Sequence, residues 1–300
     1  MLDRIKARLR SNQAFYSAYQ YLRNGAELLP RRIRYQMNHP SSTLSAEQQN
    51  ILATLRKEGI VALPDFLSEE AIAAMKSVID QAIKEKRYYY AAGKFAFQDP
   101  PPNLADIGRL NVIDPTYHSP EFIRFALNGF IRGIADAYIG VESTLAGIAA
   151  YRTQPTRNHP KGAFHWHFDN AYAQLKAIAY LTDVGEEDGP FAFVPGTKKF
   201  RPVSANYMDT RIADEDVPAG TYINCVGKAG TVLIVDTQII HRATPNRSKD
   251  RDVVSVIYDA ATRVRCDSFY NLPIQSAYLK GLTPDQLRFL RLPIHPGQID

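Results

Sequence analysis

Phe164-His165-Trp166-His167-Phe168-Asp169 sets polar side chains at alternate positions of an aromatic run. On a β-strand, residues i and i+2 project from the same face. His167 and Asp169 therefore converge on one point, while Trp166 and Phe168 pack on the other side. A nitrogen donor and an oxygen donor on one stiff strand supply half of a 2-His-1-carboxylate set. That set suits Fe(II), because it leaves coordination positions open for a co-substrate and O₂.

The missing donor must come from a distant histidine. Val232-Leu233-Ile234-Val235-Asp236-Thr237-Gln238-Ile239-Ile240-His241 is a β-rich segment ending in polar sequence, and His241 is its candidate ligand. Arg251 follows, leading at once into a second strand-like run, Val253-Val254-Ser255-Val256-Ile257-Tyr258. His39, His118, His159 and His295 lie beside or near proline in turn-like sequence and read as surface or capping residues.

Taken in order, these residues resemble the Fe(II)/2-oxoglutarate oxygenases, and within them the phytanoyl-CoA dioxygenase family. The supporting segments are Trp166-His167-Phe168-Asp169, Tyr180-Leu181-Thr182-Asp183-Val184, Asp188-Gly189-Pro190-Phe191, Val194-Pro195-Gly196-Thr197 and His241-Arg242-Ala243-Thr244-Pro245-Asn246. The resemblance implies His167, Asp169 and His241 as the metal and catalytic residues, and Arg251 as the residue binding 2-oxoglutarate. It also implies Fe(II), 2-oxoglutarate and O₂ as the reacting set, a hydroxylated C–H bond, and succinate and CO₂ as co-products. Among relatives, a small residue in place of the carboxylate opens a halide site; Asp169 points instead to oxygen transfer.

His165 shares the face of His167 and Asp169. The competing site is His165, His167 and His241, a cupin-type metal enzyme that does not use 2-oxoglutarate. A cupin site wants a glutamate a few residues after the second histidine, and none occurs between Asp169 and Glu186. His165 is then a strand-entrance or substrate-side residue. A non-catalytic ligand-binding barrel is the third reading, and the complete donor set with Arg251 argues against it.

Arg251 answers a separate need. The distal carboxylate of 2-oxoglutarate would sit in a largely apolar barrel, where a guanidinium fork pairs it bidentately. Arg242 and Arg247 are nearby rivals, expected in the turn and facing solvent. The chain departs from the family in one place: relatives often carry a hydroxyl residue two positions after the distal histidine, and here that residue is Ala243, with Thr244 as the expected substitute.

The wider chain is consistent with this chemistry. Apolar content of 45% and charged content of 22% are ordinary for a globular protein. No run approaches the roughly 20 apolar residues of a membrane-spanning helix. The N-terminus lacks the apolar core of a signal peptide, and two cysteines, Cys225 and Cys266, make no disulfide framework. A cytoplasmic setting is expected. The basic side chains Arg4, Lys6, Arg8, Arg10, Arg23, Arg31, Arg32 and Arg34 face only Asp3 and Glu27 within residues 1–38, an excess larger than the chain's whole net charge of +5. That extension reads as a basic helix packed on the body or as a peripheral membrane contact. Its aromatic residues are too sparse for a nucleic-acid partner.

His39-Pro40-Ser41-Ser42-Thr43 marks the expected boundary between a 1–43 extension and a single oxygenase domain over 44–300. Capped helices are predicted from Ser45 to Lys57, from Ser68 to Lys86, from Ser119 to Tyr138 and from Thr283. Between Ala146 and Ala261, short β-rich runs alternate with turn residues at 146–153, 164–170, 174–182, 190–194, 220–225, 230–236, 238–243 and 252–260. Runs of this number in two halves predict a mainly β fold with flanking α-helices, a double-stranded β-helix of jelly-roll, cupin-like form. The barrel core is placed at about 146–261. Arg87 to Asn111, with Tyr88-Tyr89-Tyr90, Gly93-Lys94 and Pro100-Pro101-Pro102, reads as a long connection, either a lid or an aromatic loop packed over the barrel edge. A small-molecule substrate is expected, with an anionic group suggested by Arg109, Arg152, Arg157 and Lys161.

Overall fold

The computed structural model describes residues 44–90, 109–156, 164–169, 173–199, 211–217, 222–260 and 272–292, with isolated positions between 29 and 37. The basic extension as a whole, Gly93, Lys94 and Pro100–Pro102 of the expected connection, and Arg157, Lys161 and Cys266 lie outside the described residues.

Two helices precede the sheets. In α1 (Ala46–Glu58), Ser45 and Gln48 close a reciprocal capping box. Ser68 caps α2 (Glu69–Lys84) through its hydroxyl, which accepts from the Ala71 amide. Between them runs β1 (Ile60–Leu63). Next come β2 (Tyr88–Tyr90), β3 (Leu110–Val112) and the helical turn α3 (Pro115–His118). The helix expected from Ser119 to Tyr138 is two helices, α4 (Glu121–Ala126) and α5 (Gly129–Ile139). The break has a local cause. The Asn128 side chain accepts from the Phe130 and Ile131 amides, so it starts a new helix where the apolar periodicity alone reads through.

The remaining strands are β4 (Ser143–Thr153), β5 (Trp166–His167), β6 (Leu175–Tyr180), β7 (Phe191–Phe193), β8 (Arg211–Ile212), β9 (Ile223–Cys225), β10 (Val232–Asp236), β11 (His241–Ala243) and β12 (Arg251–Ala260). Short helices α6 (Ser276–Leu279) and α7 (Pro284–Phe289) follow. The strands form two antiparallel sheets. The major sheet has the order β1-β10-β6-β12-β4-β3-β2, and the minor sheet β8-β5-β11-β7-β9. This is the jelly-roll arrangement expected from the alternating runs, with β4 to β7 and β9 to β12 falling within or close to their predicted segments. The strands β2, β3 and β8 were not anticipated; at two or three residues each, they are too short to show a period.

Strand parity sorts the side chains into layers. On β6, Leu175, Ala177 and Ala179 point into a core shared with the helices, as do Val254 and Val256 of β12 and Val232 and Ile234 of β10. Their alternates, Ile178, Tyr180, Val253, Leu233 and Val235, meet Phe191 and Phe193 of the minor sheet between the two sheets. Trp166, Ala192 and Ile240 form a third cluster on the outer face of the minor sheet. Residues of the same parity as Val253 and Ile178 thus face the space between the sheets, which places Arg251 and Lys176 there.

Gly59 links the helical layer to this interior. It ends α1 with a φ of 83°, and a Cβ built on it would lie 2.3 Å from the Ile239 side chain. Its carbonyl accepts from the Asp236 amide at 2.7 Å. Gly59→Ala is expected to lower unfolding stability by about 2 kcal/mol or more, since a left-handed conformation alone costs a non-glycine residue roughly 1–2 kcal/mol and the clash adds to it. Urea denaturation measures this; an unchanged midpoint would contradict the account of the junction.

Candidate metal centre

The site begins with a strand pairing. β5 and β11 are adjacent and antiparallel, with His167 directly opposite His241. Residues opposed in register point to the same face, so both imidazoles enter the space between the sheets, with ring centroids 4.3 Å apart. Asp169 lies just past β5, its amide donating to the Thr237 carbonyl at 2.9 Å. Its Oδ1 is 3.5 Å from His167 Nε2 and 3.7 Å from His241 Nε2. Donor atoms of His167, Asp169 and His241 all lie within 4.8 Å of one another.

Both imidazoles are held in the same way. His167 Nδ1 donates to the His165 carbonyl at 2.7 Å, and His241 Nδ1 donates to the Ile239 carbonyl at 2.9 Å. Each bond assigns the proton to Nδ1 and leaves the Nε2 lone pair toward Asp169. Phe191 stacks on His241 at 5.2 Å and fixes its ring plane. Phe191 is itself set by the turn before it: Gly189 has a φ of 74° and lies so close to Asn246 and Thr244 that a side chain there would meet both at about 3 Å.

Protonation also suits ligation. Burial lowers the His241 imidazole to about 3, with repulsion from His167 adding to it and Asp169 only partly offsetting it. Burial pushes the Asp169 carboxyl up. The Lys176 ammonium and the facing imidazoles outweigh burial and hold the carboxyl well below the usual carboxylate range. At neutral pH His241 is therefore neutral and Asp169 ionised, as metal ligands must be. Two nitrogens and one oxygen on one side, without a further His, Cys, Asp or Glu donor in the cluster among the described residues, fit a facial Fe(II) set. Bonds of about 2.1 Å would bring cis donors to about 3 Å, so the two Asp169 Oδ1 spacings, 3.5 and 3.7 Å, would have to close by roughly half an ångström or somewhat more.

His165 does not join this group. Its side chain is exposed, and it contributes only its backbone carbonyl. The cupin-type set of His165, His167 and His241 is thereby corrected, because His165 precedes β5, escapes the strand's alternation and is exposed.

Arg251 opens β12 opposite Thr153 and is 4% exposed. Its Nε donates to Thr153 Oγ1 at 3.1 Å, and among the described residues no carboxylate pairs with its guanidinium. The hydroxyl beside Arg251 thus comes from β4, and sequence reasoning missed it. Thr244, the expected substitute for Ala243, donates its hydroxyl to the Pro190 carbonyl at 2.7 Å and is committed to the turn. Arg109 is half-buried and lies over the Tyr151 ring at 3.5 Å, with its Nε donating to Asn111 at 2.7 Å. Burial lowers its pKa, and Arg251 acts in the same direction.

Other expectations need correction. Arg152 faces the helical layer, where it grips both oxygens of buried Asp252 at 2.7 Å and reaches Asp80. It is therefore no substrate residue. Arg242 is in β11, not in a turn, and lies over Trp166 at 4.2 Å on the outer face. Arg247 is exposed, as expected. Lys176 was missed altogether, although its Nζ is 2.6 Å from Asp169 Oδ2.

Comparisons with known proteins agree with this geometry. Residues 55–253 match the model of the family described as phytanoyl-CoA dioxygenase. No curated protein sequence matches the chain. Among solved structures, the epimerase SnoN from nogalamycin biosynthesis, in complex with Fe3+, alpha ketoglutarate and nogalamycin RO, is 20% identical, with a TM-score of 0.57 over 84% of this chain and 97% of that one. The carbocyclase SnoK from the same biosynthesis is 22% identical, TM-score 0.57, over 85% and 94%. HygX from Streptomyces hygroscopicus, with nickel, 2-oxoglutarate and hygromycin B bound, is 18% identical, TM-score 0.52, over 72% and 88%. These likenesses show the fold. The family match covers most of the chain: it belongs to the phytanoyl-CoA dioxygenase family and is an Fe(II)- and 2-oxoglutarate-dependent non-haem iron dioxygenase.

Proposed function

We propose that this member of the phytanoyl-CoA dioxygenase family hydroxylates a C–H bond of a small organic substrate, with His167, Asp169 and His241 as the iron ligands and Arg251 as the anchor for 2-oxoglutarate. The observation that carries this reading is the convergence of Asp169 Oδ1 with two Nε2 atoms, each imidazole fixed from behind by a backbone carbonyl. Iron bound there would couple oxidative decarboxylation of 2-oxoglutarate by O₂ to attack on the substrate.

The protein's own residues prepare that chemistry. His167 and His241 present lone pairs in a fixed orientation, so little reorganisation is needed on binding. Among the described residues no carboxylate compensates the buried Arg251 guanidinium, an arrangement that is costly unless an anion arrives. Thr153 fixes Nε and leaves the terminal nitrogens for a bidentate contact with a carboxylate. Arg109 nearby strengthens the positive field at the same end of the barrel. Asp169 occupies the position that a halide would need, which favours oxygen transfer over halogenation. For the substrate we favour the secondary-metabolite class, in keeping with the nogalamycin RO bound to SnoN and the hygromycin B bound to HygX. A cytoplasmic setting, read from the cysteine count, belongs to the same proposal.

Two sets of variants test the assignments. His241→Ala is expected to weaken Fe(II) binding well beyond the roughly 10–100-fold seen when only second-shell support is lost. His165→Ala should leave binding unchanged, because the carbonyl that holds His167 remains. Loss of Fe(II) binding in His165→Ala as well as in His241→Ala, read by anaerobic Fe(II) titration, would return the cupin-type set. Arg251→Ala should raise the 2-oxoglutarate needed for succinate formation about 10–100-fold, since losing a hydrogen-bonded charge pair costs about 1.5–3 kcal/mol, with Fe(II) affinity unchanged. An effect confined to Arg247→Ala would move the anchor to that residue.

A further inference from the structure

Lys176 lies on the interior face of β6, in register with Val235 of β10 and Ile257 of β12, and its alternates on that face are Ile178 and Tyr180. An ammonium at such a position is costly unless it is paired, and lysine is a poor strand residue. Its partner is specific. Nζ is 2.6 Å from Asp169 Oδ2, with the two side chains 20% and 25% exposed. The other carboxylate oxygen, Oδ1, faces the two imidazoles. The two oxygens of Asp169 are thus divided between an ammonium and the metal position.

Resting on the assignment of Asp169 as a ligand, we propose that Lys176 is a positioning residue that holds Asp169 so that it ligates the metal through Oδ1 alone. A free carboxylate can chelate a metal through both oxygens, as aspartate and glutamate often do. Chelation of that kind at this site would fill a position that a facial triad keeps open. On a bound iron, 2-oxoglutarate and O₂ would together need the positions that the triad leaves open. By engaging Oδ2, Lys176 keeps Asp169 from closing one of them. It repels the metal as well, so Oδ2 cannot swing inward with the ammonium attached. Methionine at 176 would keep most of the side-chain volume and remove the charge and the donor.

The test counts metal-bound waters on Mn(II)-loaded protein without 2-oxoglutarate, by electron spin echo measurement in D₂O. Lys176→Met is expected to carry one exchangeable water fewer than wild type, or, if the released carboxylate turns away from the metal, to lose Mn(II) binding while remaining folded by circular dichroism. Lys176→Arg, which keeps a cationic donor, should restore the wild-type count. Equal water counts in wild type and Lys176→Met would overturn the proposal. Failure of wild type to bind Mn(II) would instead overturn the ligand assignment on which it rests. Should Lys176→Met not fold, the carboxylate stretches of the Zn(II)-loaded wild type decide. The wide splitting of one-oxygen ligation supports the role of Lys176, and the narrow splitting of two-oxygen chelation overturns it.

Discussion

The pairing of β5 with β11 is the constraint on which the rest of this structure depends. His167 and His241 oppose one another in register across two very short strands. A slip of one residue in either strand would exchange the two faces, turning an imidazole outward and bringing Trp166 or Arg242 inward. Register is held from both sides. Trp166, Ala192 and Ile240 bury the outer face of the minor sheet, and Phe191 and Phe193 bury its inner face against the major sheet. The same outer-face packing that stabilises the sheet therefore aims the two imidazoles.

Around that pair, the two sheets divide the chemistry. The minor sheet and the turn after β5 supply the donors, while the major sheet supplies charge: Arg251 from β12 and Lys176 from β6. Each cation faces inward because its neighbours of like parity do. The two have different partners. Lys176 is neutralised by Asp169 at 2.6 Å, whereas among the described residues Arg251 has the Thr153 hydroxyl and no carboxylate. On the proposed assignment, the second cation is the one left to receive the distal carboxylate of a dianionic co-substrate.

Much of this was legible in the sequence, for physical reasons. Alternation at 164–169 fixed the faces of His167, Asp169 and Trp166, and the β-rich runs with their turn residues outlined both sheets. Capping residues placed α1 and α2 to within a residue or two. The misses have equally specific causes. Asn128 broke a helix that hydrophobic periodicity carried through. The strands β2, β3 and β8 are too short for a period to register. Thr153 and Lys176 act across strand pairings, from β4 to β12 and from β6 to the end of β5, and cross-strand neighbours are invisible until the register is known. Arg152 looked like a substrate residue because its partner Asp252 lies a hundred positions away in the chain. Parity on β4 would have separated it from Thr153, since adjacent residues of a strand cannot share a face.

The most direct measurement is an anaerobic titration of the apoprotein with Fe(II) followed by 2-oxoglutarate, read by visible absorption. The account predicts a metal-to-ligand charge-transfer band that appears only when both are present, because 2-oxoglutarate then chelates an iron held by His167, Asp169 and His241. Iron binding by the wild-type protein without that band at saturating 2-oxoglutarate would contradict it.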